Sequence, residues 1–101
     1  MIFVYITCKD KKEAFKISKM LLDKKLIACA NIYPIISMFR WKNKIQNNQE
    51  IVLLVKTLEN KYKSIKKEVE KIHSYETPCI LKIKVKGNNK FEKWVKEEVK
   101  K

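Results

Sequence analysis

Cysteine, histidine and carboxylate side chains are where this chain has chemistry to offer. His73 is the only histidine among 101 residues, and the three cysteines, Cys8, Cys29 and Cys79, are far apart in sequence. The candidates form two groups. One lies in the β-branched stretch 26–57: Cys29, Asn31, Ser37, Trp41, Glu50, Lys56 and Thr57. The other is the loop His73, Ser74, Tyr75, Glu76, Thr77, Pro78. An imidazole joined by thiolate and carboxylate is a donor set for a transition-metal cation. A lone imidazole just past a helix is more often a hydrogen-bonding loop anchor than a metal ligand. Cys29, in an apolar run, reads as a small buried hydrophobe or as a thiolate ligand. Glu50 has apolar neighbours on its C-terminal side and needs a partner; Lys56, His73 or a tyrosine of another subunit could supply it. Trp41 suits packing between subunits or a ligand platform.

Catalytic patterns are missing. Cys29 and His73 would form a thiol–imidazole pair only if the fold brought them together. Gly87 is the only glycine, so there is no glycine-rich phosphate loop. No serine stands in a nucleophile elbow and no acidic pair marks a hydrolase. The expectation is a protein that is not an enzyme.

The formal net charge of +13 would by itself suggest a polyanion. Two features argue against a nucleic-acid partner. Arg40 is the only arginine, and the lysines are spread over nearly every segment. The aromatic platform of ferredoxin-like RNA modules is also missing, since Glu50–Val55 carries no aromatic residue. No cysteine pair has C-x-x-C spacing. Met1–Thr7 lacks a signal peptide's basic leader and apolar length, and no segment reaches the length of a membrane span. A soluble, cytoplasmic protein is expected.

The elements that must position these residues follow from apolar spacing. Ile2–Thr7 reads as a buried strand. Asp10 with Glu13 resembles a capping box, opening a helix whose apolar face is Ala14, Ile17 and Leu21. Residues 26–57 read as a long two-stranded hairpin turning at Lys42–Asn43–Lys44, with Pro34 favouring an edge position or a bulge. Asn60 is the expected N-cap of a second helix bearing Tyr62, Ile65, Val69 and Ile72. Leu81, Ile83 and Val85 alternate with lysines, the pattern of a strand with one wet face. After Gly87, a last helix carries Phe91, Trp94, Val95 and Val99. The order βαββαβα predicts one α+β domain, 1–101, with a ferredoxin-like antiparallel sheet and helices on one face. Both Ile2–Ile6 and Ile51–Val55 are apolar at every position. Each buried Val, Ile or Leu contributes roughly 1.5–3 kcal/mol, so the face without helices calls for further copies of the sheet, as in a closed homotrimer.

Lys25–Ile32, Pro34, Ser37, Trp41, Glu50, Leu53–Thr57, His73, Tyr75, Glu76, Pro78 and Trp94 follow one another at a characteristic spacing over nearly the whole chain. In that pattern the chain resembles the CutA family of divalent-cation tolerance proteins. The resemblance implies a PII-like homotrimer whose hairpins pair across subunits, and a role in tolerance of divalent metals, copper especially. It differs at Phe39, Asn43 and Ser74, where the family often has tyrosine, glycine and proline. A copper site proposed in some members uses a first-strand cysteine and two adjacent histidines. The matching positions here are Ile6 and Ile72, leaving His73 with Cys8 nearby. Copper or another divalent cation is therefore expected at His73, Cys29, Glu50 and Cys8 in a subunit cleft that also holds Trp41, Lys56, Tyr75 and Glu76. The alternative is a structural or protein-interaction trimer without a metal.

Overall fold

A computed structural model describes residues 1–99. Strand β1 (Ile2–Cys8) runs into helix α1 (Lys11–Asp23). The hairpin is β2 (Cys29–Trp41) with β3 (Lys44–Thr57), followed by a 3-10 turn (Glu59–Lys61), helix α2 (Tyr62–Ile72), strand β4 (Ile80–Lys84) and helix α3 (Asn89–Glu98). The four strands form one antiparallel sheet in the order β2-β3-β1-β4, as the element order predicts.

The start of α1 is capped as expected. Asp10 Oδ1 accepts the Glu13 N–H at 2.8 Å. Glu13 does not close the box on Asp10; its Oε1 accepts the N–H of Lys9 at 3.0 Å. At the other end Lys25 takes a left-handed conformation (φ 57°), and Leu26 N–H reaches back to Leu21 O at 3.0 Å, closing the helix. Asn60 does not cap the second helix. It sits inside the 3-10 turn, and α2 begins after Lys61 with no side-chain cap.

The hairpin turns on Lys42 and Asn43, both with positive φ (52° and 66°), as a two-residue turn matched to strand twist requires. Pro34 lies on an edge strand in unbroken register with Ile51, so no bulge is needed. Pairing of β1 with β3 ends at Cys8–Ile51, whereas β2 and β3 continue to Trp41–Lys44. Residues 35–50 therefore project beyond the sheet, along a molecule 45 Å long.

Helices α1 and α2 cover one face. Ile2, Val4, Ile6, Leu53 and Val55 pack there under Ala14, Ile17, Leu21, Ile65 and Val69. A smaller cluster of Ala28, Val95 and Val99 seats α3. On the other face, Phe3, Tyr5, Leu54 and Tyr33 stay partly exposed. Strand β4 turns its apolar side away from the helices. Register pairs Leu81 and Ile83 with Tyr5 and Phe3, so its apolar side joins the helix-free face, 52% and 43% exposed. Its lysines lie on the helix side, where Lys82 bonds Glu59 and stands 5.5 Å from the Tyr62 ring centre.

A candidate metal centre at the end of the first strand

The loop 73–79 carries the chain from α2 past the end of β1 into β4, and His73 anchors it. Its Nε2 lies 2.8 Å from the carbonyl oxygen of Thr7. A carbonyl can only accept, so Nε2 carries the proton. Nδ1 then holds the lone pair of the neutral ring and accepts the Tyr75 N–H at 3.1 Å. Nδ1 faces Glu13 Oε2 across 3.8 Å, too far for a hydrogen bond.

Cys8, Glu13 and His73 bring one sulfur, one carboxylate oxygen and one ring nitrogen within 4.8 Å of one another. Strand alternation aims Cys8 at the helix layer, the first turn of α1 supplies Glu13, and the chain past α2 supplies His73. Both Cys8 and Glu13 are buried, at 0% and 7% exposure. Burial pushes the Cys8 thiol up to about 12, and the carboxylates of Glu13, Asp10 and Glu50 push the same way. Burial also opposes ionisation of Glu13. Hydrogen bonds from Lys9 and Ser74 outweigh it and hold the carboxyl below its ordinary value. The Ser74 N–H donates to Glu13 Oε2 at 2.8 Å.

Sequence reasoning places Glu13 in the helix cap alone and misses it as a donor. Its partner Ser74 is 61 residues away, and no local signal reports such a contact. The other expected residues divide. Glu50 lies on the helix-free face at the root of the projecting hairpin and accepts the Tyr75 hydroxyl at 2.5 Å. Its partner is thus a tyrosine of its own chain. That bond and burial raise the Tyr75 hydroxyl, with burial the larger cause. Cys29 and Lys56 pair with each other at the opposite end of β3. Six residues along the strand separate Lys56 from Glu50, roughly 20 Å, so Cys29 does not reach the His73 loop of its own chain. Trp41 stands at the hairpin end opposite Lys44, and Glu76 is exposed in the loop.

The donor set suits a borderline transition-metal cation bound through thiolate, carboxylate and Nδ1. Occupancy requires loss of the Cys8 proton and departure of the Tyr75 N–H from Nδ1. The fold and the cluster together define a class: small α+β proteins with a ferredoxin-like antiparallel sheet, here carrying a Cys/Glu/His group at the end of the first strand.

The comparisons narrow that class. The family described as CutA1 divalent ion tolerance protein matches residues 2–98. The divalent-cation tolerance protein CutA of Archaeoglobus fulgidus is 45% identical over 98 residues, covering 96% of each chain. That of Thermotoga maritima is 39% identical over 100 residues, covering 98% of this chain and 99% of its own. The solved structure of the Archaeoglobus fulgidus protein, described as periplasmic, superposes with a TM-score of 0.96 at 44% identity, covering 99% of this chain and all of that one (100%). The chain belongs to the CutA1 divalent ion tolerance family.

Proposed function

We propose that this protein acts in tolerance of divalent cations, copper foremost, as a non-enzymatic, PII-like homotrimer in the cytoplasm. Cys8, Glu13 and His73 bind the cation, and the helix-free sheet face packs against the other subunits. One observation carries the metal assignment: sulfur, oxygen and nitrogen donors from three separate elements converge within 4.8 Å. Thiolate and imidazole donors favour copper and zinc over magnesium or calcium. Because the thiol must ionise, affinity rises with pH up to the thiol's own titration. Trimerisation is supported by the partly exposed apolar residues of the helix-free face and by the projecting hairpin.

Calorimetric titration with copper, and with zinc for comparison, tests the reading. The expected result is saturable binding that His73→Ala weakens at least tenfold. Identical isotherms for both proteins would remove His73 from the site.

A second reading, a trimer serving only as an interaction scaffold, is favoured by a different observation. Every buried side-chain nitrogen and oxygen among the described residues already has a hydrogen-bond partner without an ion. Under it, His73→Ala lowers stability and no cation binds either protein.

A further inference from the structure

Tyr75 occupies two positions that matter at once. Its N–H fills the one lone pair that the neutral His73 ring has free, at 3.1 Å. Its hydroxyl holds Glu50 at 2.5 Å, one residue beyond the last β1–β3 pair, where the hairpin leaves the sheet. Its ring packs against that of His73, with centroids 4.9 Å apart. Cys8 and Glu13 lie on the helix side of the sheet and Glu50 on the helix-free side, so Tyr75 joins the donor cluster to the face left open for association. A cation taking the Nδ1 lone pair must evict the Tyr75 N–H. The loop then moves, and the hydroxyl cannot keep its place on Glu50 without adjustment.

We infer that Tyr75 is a latch: cation binding at His73 and seating of the hairpin root on Glu50 compete through this one residue. The inference rests on the cation reading above and adds its regulation. By linkage, the factor by which the Glu50–Tyr75 bond weakens cation binding equals the factor by which the cation weakens that bond. Tyr75 acts here as a positioning residue.

The test uses zinc ion, which is redox-silent, on the full chain and on two variants. Tyr75→Phe keeps the N–H to Nδ1 and removes the hydroxyl. Glu50→Gln keeps the shape and removes the charge. A hydrogen bond to a charged group is strong enough that each variant should bind zinc about tenfold more tightly. Glu50→Gln discriminates further, since losing a negative charge would weaken any merely electrostatic attraction. Zinc should also speed amide hydrogen exchange at Gln49–Ile51 in the parent and leave it unchanged in Tyr75→Phe. Equal affinities in all three proteins, or no response at Gln49–Ile51 in the zinc-bound parent, would overturn the latch and leave the cation site standing. Absence of zinc and copper binding in all three would overturn both.

Discussion

The two faces of the sheet are built from the same strands and meet different fates. On the helix side Ile2, Val4, Ile6, Leu53 and Val55 are sealed within the chain. On the other side Tyr33, Leu81 and Ile83 remain exposed, and Phe3, Tyr5 and Leu54 are only half-buried. One side is finished by its own helices, and the other is a surface in need of a partner. The candidate metal group belongs mainly to the finished side, and Glu50 to the unfinished one. His73 and Tyr75 pass between them. The sealed and the open face are therefore separable here by residue parity along a strand.

Neighbours in β3 put that separation to its severest test. Leu53→Ala should lower stability by about 2–5 kcal/mol whatever the protein concentration, because it opens a cavity under the helices. Leu54→Ala should show a loss that shrinks as concentration rises, as the proposed packing of copies on that face requires. Thermal melts across a hundredfold dilution series measure both. If Leu54→Ala proves insensitive to dilution, the distinction between the faces is gone.

The titrating groups of the sealed side sharpen it further. Glu13 has its carboxyl held low in the folded protein, so it contributes stability above its ordinary value of 4.5 that disappears as pH falls through the folded value. Glu13→Gln should cost about 1–3 kcal/mol at neutral pH and flatten that acid limb. Cys8 has the opposite sign of dependence. Its thiol is raised from 9.0 to about 12, so the unfolded chain ionises first and stability falls as pH rises across that interval. Denaturant midpoints measured from pH 3 to 11 should show both limbs, each independent of protein concentration. A concentration-dependent limb would place these groups at the association surface instead.

The smallest effect concerns the hairpin turn, which precedes either face. Lys42 adopts the left-handed region that asparagine tolerates better. Lys42→Asn should raise stability by about 0.5–1 kcal/mol, read as a parallel shift in the denaturation curve. A loss would show that Lys42 makes a compensating contact.

Much of this was legible in the chain. The apolar spacing of Ala14, Ile17 and Leu21, the Asp10 cap and the tolerance of Asn43 for positive φ are local properties, and local physics decided them. Two-sided apolarity in Ile2–Ile6 likewise announced a sheet that its helices could not cover. The orientation of β4 was not legible, because alternation fixes that Leu81 and Ile83 share a side without fixing which side. Asn60 misled for a related reason: a good capping residue does not cap where the chain first makes a 3-10 turn. The site was half visible. His73 and Cys8 stood out by residue type, whereas Glu13 joins them only through the packing of α1 against the loop after α2. Within one chain, strand register puts Cys29 beside Lys56 and away from Glu50.

The account depends most on the helix-free face being covered by other copies of the chain. Sedimentation equilibrium at low micromolar concentration tests this directly. It should return three times the 12.1 kDa mass of one chain, with dissociation to smaller species when Leu81 and Ile83 are replaced by lysine. A stable, folded species of single-chain mass under the same conditions would contradict it.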